Sequence, residues 1–259
     1  SSDLAWATLI ARTLTLIPLL LLTVWRYRLF DRKSADLPRY RSMRALWSVA
    51  WPSSTQLVVR IAAMLMLHSL VARYFTTATD QSATTALGVV FRFETMVIFV
   101  SLGWGSAAQT FVGQSLGREL PNRAQAAGWW AAGYDAATLA LLALLYHAFA
   151  GSIVGWFNTT PAVTVIAVQY LQTVAYGYVG LGVGIVLGAA IQGTGATRRS
   201  LALDLLLVLV IQLPAALIAV TRPSPSLQAL WMTLAGIYLV SALLYAVAYS
   251  RGRHLTFRL

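Results

Sequence analysis

Apolar residues dominate seven long runs in this chain, near 4–25, 45–74, 84–113, 123–148, 161–192, 200–220 and 226–249. A helix needs about 20 residues to cross about 30 Å of hydrocarbon, so each run is a candidate membrane span. Several are longer, which predicts tilt, kinks or projection past the bilayer. The punctuation between runs fits helix ends. Gly117 predicts a stop and Pro121 a start, while Thr160-Pro161 and Ser224-Pro225 predict an N-cap followed by a first helical residue. Pro52 and Pro214 fall inside runs and predict kinks. The stretch GSIVGWFNTT, 151–160, predicts a short connection at the membrane interface. The pattern as a whole predicts an all-α membrane protein, a polytopic bundle of about seven transmembrane helices.

Composition agrees. Hydrophobic residues make up 58% and charged residues 10% of the 259 positions, against about 25% charged in a soluble domain. There is no cysteine, which excludes disulfides, thiolate metal sites and cysteine nucleophiles. The formal charge of +11 suggests nucleic acid until the arginines are placed. The 26–44 connector holds Arg26, Arg28, Arg32, Lys33, Arg39, Arg41 and Arg44. Two spans later come Arg118 and Arg123, two later still Arg198 and Arg199, and the tail holds Arg251, Arg253 and Arg258. The opposite connections hold only Arg73 and Arg222, and Arg12, Arg60 and Arg92 lie inside spans. By the positive-inside rule the N-terminus lies outside and the C-terminus in the cytoplasm, with the inner membrane as location. No basic face is left over for DNA or RNA. The chain starts at Ser1 without Met or a basic leader, as expected of a stretch beginning partway along a longer polypeptide.

Gly113-Gln114-Ser115-Leu116-Gly117 matches the G-x-S-x-G pattern of a hydrolase nucleophile elbow. An elbow needs a strand, a strained turn and a helix, whereas this motif ends an apolar helix. The histidines are also badly placed as a base: His68 and His147 fall near the outer face and His254 in the tail. The reading is therefore not an enzyme.

The stretch FVGQSLGRELPNRAQAAGW, 111–129, resembles the loop between the eighth and ninth helices of the MATE family of multidrug and toxin exporters. GAAIQGTGATRRSLALDLLLVLVIQLPAALIA, 188–219, resembles that family's tenth-to-eleventh connection, with Pro214 as its late proline. WSVAWPSSTQLVVR, 47–60, is similar to the start of the seventh helix, and VFRFETMVIFVSLGWG, 90–105, to the eighth, with an Arg-x-Glu pair at Arg92 and Glu94. The resemblance implies one preceding helix (1–25), a basic cytoplasmic inter-lobe linker (26–44), a six-helix C-terminal lobe (45–250) and a cytoplasmic tail (251–259). It also implies a missing N-terminal lobe of the same polypeptide as partner. The expected function is export of small organic, often cationic, compounds driven by inward H⁺ or Na⁺, with no other cofactor. Two positions depart from the pattern: Ala196 stands where many members carry Asp, and Gln212 where Arg often precedes the late proline. Arg60 stands at or near a position where some sodium-coupled relatives carry Glu.

Independently of any family, ionisable side chains inside spans need partners or water, since Arg or Asp at a helix centre costs about 2.5–3.5 kcal/mol on insertion scales. The candidates are Arg12, Arg60, Arg92, Glu94 and Asp135. Rise per residue puts Arg60 roughly 20 Å and Glu94 roughly 15 Å below the outer end of neighbouring antiparallel helices, which predicts an Arg60–Glu94 pair. These groups are either structural ion pairs or the polar wall of a cavity where protonation or cation binding follows conformation. Gln56 and Gln109 either line that cavity or bond neighbouring helices. Asp204 falls near Arg199 and is expected to be solvated. Gly180, Gly184 and Gly188 form a stripe that predicts close helix packing. Trp25, Trp47, Trp51, Tyr146, Trp156 and Tyr249 lie near run ends and predict interfacial anchors.

Rival classes are weaker. A retinal protein needs a lysine in the last span, and the sole lysine, Lys33, is in a connector. A heptahelical receptor has no supporting motif, and a channel would want polar rings. The remaining alternative is a flippase for lipid-linked or polysaccharide substrates in the same superfamily, whose anionic headgroups suit intramembrane arginines.

Overall fold

All seven apolar runs become helices. The computed structural model describes residues 2–27, 40–157 and 160–252. The helices are α1 (Ser2–Tyr27), α2 (Tyr40–Phe75), α3 (Ser82–Gly117), α4 (Pro121–Gly155), α5 (Pro161–Gly193), α6 (Thr197–Val220) and α7 (Leu227–Ser250). No strand occurs among the described residues. Helices α2 to α7 are each long and apolar enough to cross a membrane, and α1 carries a described apolar stretch at Thr13–Leu22. Helices are the expected solution, because a backbone N–H or C=O in hydrocarbon has no partner outside its own helix.

Two compact units divide the chain at Leu46 and Trp47. The first holds α1, which runs through Pro18, and the opening residues of α2. Most of the expected linker (28–39) and tail (253–259) lie outside the described residues.

In the second unit α5 is the hub, packed against α3, α4 and α7. The reason is its small residues. A Cβ on Gly180 would sit 2.5 Å from the Tyr238 carbonyl oxygen and 2.9 Å from the Leu239 Cα, so the α7 backbone occupies that space. Gly177 meets the Ala235 backbone in the same way, Gly184 meets Ser241 and Gly188 meets the Tyr245 ring. The predicted glycine stripe is therefore the seam between α5 and α7, extended by one member. On the opposite side Gly193 touches the backbone of Gln109 on α3.

The helix ends hold some surprises. α3 stops at Gly117 and Pro121 opens α4, as the punctuation predicts, with Glu119 between them at φ 60°. The G-x-S-x-G residues thus form the last turn of a helix. Pro161 follows Thr160 at the start of α5. The cap predicted at Ser224 is displaced. The N-cap of α7 is Ser226, whose hydroxyl accepts from the Ala229 amide at 3.1 Å. Pro225 stays outside because a better-placed hydroxyl lies one residue later. The 151–160 stretch is only partly a connection. α4 continues to Gly155 through a break at Phe149 (φ −111°, ψ 15°). α2 runs on through Pro52. In α6 the segment Leu206–Gln212 widens to a π-helix just before Pro214, whose ring lacks an N–H to close an ordinary turn.

Two predicted anchors are not at an interface. Tyr146 and Tyr249 are buried in the bundle, with the Tyr249 hydroxyl donating to the Ala124 carbonyl at 3.0 Å. A hydroxyl satisfied by protein no longer needs the headgroup layer. Trp25, Trp47 and Trp156 are broadly exposed, as anchors should be.

The α5–α7 seam gives a direct test. Gly180→Leu should destabilise the folded protein by about 1–3 kcal/mol, since backbone cannot move aside as a side chain can. The control is Gly236→Ala, where an added Cβ meets nothing within 4 Å. Thermal unfolding in detergent should show a fall for the first and an unchanged or raised midpoint for the second.

Candidate functional site

Two polar clusters sit inside the second unit. The first gathers at the end of the bundle that carries Arg198 and Arg199. On α2, Gln56 and Arg60 are one turn apart and share a face. On α6, Ser200 and Asp204 have the same spacing. The two rows meet rung for rung. The Gln56 amide donates to the Ser200 hydroxyl at 3.0 Å, and Arg60 donates through Nε to Asp204 Oδ2 at 2.7 Å and through Nη2 to Oδ1 at 3.2 Å. Gln192, at the end of α5, donates to Gln56 Oε1 at 2.8 Å, and Tyr245 on α7 donates to Asp204 Oδ1. Four helices are thereby tied through hydrogen bonds, with the only salt bridge among the described residues at the centre.

This arrangement corrects two expectations. Arg60 does not pair with Glu94, because its face of α2 turns toward α6. Asp204 is not solvated. It is 2% exposed and holds one guanidinium and one phenol. Removing Arg60 would leave the buried Asp204 carboxylate without its counter-charge, a destabilising position.

The second cluster lies toward the opposite end, in the aromatic half of the core. Glu94 on α3 is buried and accepts from two tyrosines, Tyr170 on α5 at 2.6 Å to Oε2 and Tyr238 on α7 to Oε1. Tyr178 packs tilted against Tyr238 and edge-on to Tyr146. His68 on α2 stacks on Phe91. No described Lys, Arg or His makes a salt bridge to Glu94. Both carboxyl oxygens are nevertheless satisfied, so an ionised Glu94 is tolerable here through charge-assisted hydrogen bonds.

Asp135 on α4 is in a poorer position. It is fully buried, receives one hydrogen bond from Ser101 on α3 at 3.3 Å, and its Oδ1 has no partner among the described residues. The space for its carboxyl exists because residue 182 is glycine. A Cβ there would overlap Asp135 Oδ2 and Leu139. An anion with one weak donor and no counter-charge is costly at such a place.

The remaining candidates disperse. Arg92 is exposed and its guanidinium lies 5.2 Å above the Phe157 ring, toward the α4–α5 end. Gln109 is exposed on α3, its backbone against Gly193 of α5, and its side chain joins neither cluster's hydrogen bonds. The side chain of Arg12 lies outside the described residues. Sequence reasoning missed Tyr170, Tyr238, Tyr245, Ser101 and Ser200 as polar partners. The legible signal for one cluster was the matched four-residue spacing of Gln56 with Arg60 and Ser200 with Asp204.

Near the α2–α3 connection, hydrogen bonds from the Ser82 side chain and backbone hold the Asp80 carboxyl below its usual range. This fixes the start of α3 and has no link to either cluster. No group of three or more potential metal ligands occurs among the described residues.

With this geometry in view, likeness to known proteins is informative. An FAD transporter of Shewanella oneidensis is 26% identical over 199 residues, covering 75% of this chain and 42% of that protein. A probable multidrug resistance protein NorM of Bradyrhizobium diazoefficiens is 25% identical over 206 residues, covering 76% and 42%. The chain thus spans about two fifths of the length of these curated relatives. The fold superposes on a MOP superfamily transporter from Pyrococcus furiosus with a TM-score of 0.85 at 20% identity, covering 98% of this chain and 57% of that one. The MatE family profile matches residues 59–218, from the Arg60 rung on α2 to the end of α6, and this multi-pass membrane chain belongs to the MatE family of transporters.

Proposed function

We propose that this chain is the second lobe, with one preceding helix, of a cation-coupled antiporter that exports small organic compounds across the bacterial inner membrane. The N-terminus is outside and the C-terminus in the cytoplasm, the orientation that the arginine alternation favours. The basic linker at 26–44 would join this six-helix lobe (45–250) to a partner lobe of the same polypeptide. H⁺ or Na⁺ is the coupling ion.

The carrying observation is the pair of buried carboxylates, Glu94 and Asp135, neither in a salt bridge with a described residue. A carboxylate in a lipid-embedded bundle is costly to charge and cheap to neutralise, so its ion occupancy responds to any change in the helices around it. Glu94 is held by α5 and α7, and Asp135 faces α3 and α5 across Gly182. Relative movement of these helices would change the donors each carboxylate sees. The relatives' names, an FAD transporter and a probable multidrug resistance protein, support an organic cargo. A flippase of the same superfamily is the second reading, favoured by the partly exposed guanidinium of Arg60 and the exposed one of Arg92 within the spans.

Glu94→Gln and Asp135→Asn, made singly in the full-length polypeptide, should each cut H⁺- or Na⁺-driven uptake into everted vesicles by about tenfold or more, with expression and thermal stability retained. Unchanged coupled uptake in both variants would reduce these carboxyls to structural parts. Uptake of a dye and flipping of a fluorescent phospholipid, measured side by side in proteoliposomes, should show gradient dependence for the dye alone. The reverse outcome would favour the flippase.

A further inference from the structure

Within the described helices of this lobe, the charged side chains that a solute can reach all have one sign, the exposed carboxylates Asp80 and Glu119 lying in the connections. Among the described residues of α2 to α7 the three carboxylates are buried, Glu94 at 6%, Asp135 at 0% and Asp204 at 2% exposure. The side chain of Arg60 is 34% exposed, and Arg92 and the arginines at the helix ends are exposed or partly so. A cation meeting this lobe finds no accessible carboxylate within the described spans, whereas an anion finds guanidiniums.

Arg60 is the guanidinium built to be used. Its Nε and Nη2 are taken by Asp204, which accepts the side of the fork nearest the side-chain stem. Asp204 is in turn held by Tyr245, and Gln56, one turn earlier, is held by Ser200 and Gln192. These contacts fix the plane of the guanidinium. Tyr245 also lies within hydrogen-bonding reach of the guanidinium, and the side chain stays 34% exposed, so part of the guanidinium remains open to a solute. A carboxylate that braces an arginine from behind preorganises the front edge for a second planar acceptor. Arg198, 5.9 Å above the Trp51 ring, adds positive charge on the same α2–α6 seam toward the arginine-rich end.

We propose that the open edge of Arg60 binds the carboxylate or phosphate group of an anionic solute. The inference deepens the transport reading by naming its substrate class, and it rests on that reading for the solute being cargo. It departs from the cationic cargo that family resemblance leads one to expect. The exposed apolar side chains of Leu57 and Met64, within about one turn of Arg60 on α2, suit a solute whose anionic group is attached to an apolar body.

The test uses the full-length polypeptide in phosphatidylcholine nanodiscs, with carboxyfluorescein as anionic probe and ethidium as cationic probe, both followed by fluorescence anisotropy. Carboxyfluorescein should bind. Arg60→Gln should raise its Kd about tenfold or more, with ethidium unaffected, as loss of a charge-assisted fork requires. Arg60→Lys keeps the charge without the fork and should fall between. Asp204→Asn keeps the guanidinium but weakens its brace, so the carboxyfluorescein Kd should rise, by less than in Arg60→Gln, and a Kd as high as that of Arg60→Gln with ethidium binding also lost would count against a site at Arg60. These two variants keep the question open to test should Arg60→Gln fail to fold. Ethidium binding without carboxyfluorescein binding, or an Arg60→Gln Kd equal to the parent's, overturns the proposal. Displacement of the dye by phosphatidylglycerol in the disc, but not by glycerol phosphate in solution, supports it with a lipid headgroup as source. Displacement by glycerol phosphate supports it with a free solute. Arg60-dependent binding without gradient-driven flux would refute the transport reading and leave this site standing.

Discussion

Hydrocarbon offers polar groups no partner, so every one of them must be satisfied inside the protein. That constraint shapes this chain at each level. It makes the backbone helical in all seven apolar runs and confines turns to the ends. It turns Gln56, Arg60, Ser200, Asp204 and Tyr245 toward one another instead of toward lipid. It also buries Tyr249 wherever a carbonyl can take its hydroxyl. The hydrophobic effect does not hold helices together in lipid, because lipid tails are as apolar as the side chains. Close packing must do so, and the glycine face of α5 supplies it.

The three buried carboxylates show how differently one constraint can be met. Asp204 has a full counter-charge and a phenol, and serves as a fixed brace between α2, α6 and α7. Glu94 has two phenols and no salt bridge, an environment that tolerates either protonation state. Asp135 has one weak donor and an oxygen without a partner among the described residues, the least satisfied of the three. The gradation matters for function. A carboxyl locked to arginine cannot readily change its occupancy, whereas the other two change it whenever their helices shift. The π-helical segment after Asp204 belongs to the same logic. α6 is pinned to α2 before it and has a thin apolar gap beside it, lined by Leu67, Leu70, Val208 and Ala216, after it.

Much of this was legible in the residues. Seven helices, six of them long and apolar enough to cross a membrane, their ends at Gly117, Pro121 and Pro161, and the glycine stripe follow from hydropathy and local sterics, which the chain carries within a few residues of each site. What failed were judgements about which helix faces which. Arg60 was matched to Glu94 because their helices are consecutive, yet the partner of α2 at that rung is α6, more than 140 residues onward. Asp204 read as solvated because it is near Arg199, but one helical turn carries it away from that end and into the bundle. Tyr146 and Tyr249 read as anchors from their position near run ends, and only the hydroxyl partners on neighbouring helices show otherwise. Facing is a tertiary property. A four-residue polar spacing on two helices at once is the one local sign that could have announced it.

Because the chain contains no cysteine, its threading can be read residue by residue. Single cysteines at Ala78, between α2 and α3, at Ser224, between α6 and α7, and at Glu119, between α3 and α4, would be probed in intact cells with a membrane-impermeant maleimide. Alternation with arginines inside requires the first two to label from outside and the third only after permeabilisation. Labelling of the Glu119 position in intact cells, with Ala78 protected, would invert the lobe and remove the basis of the export account.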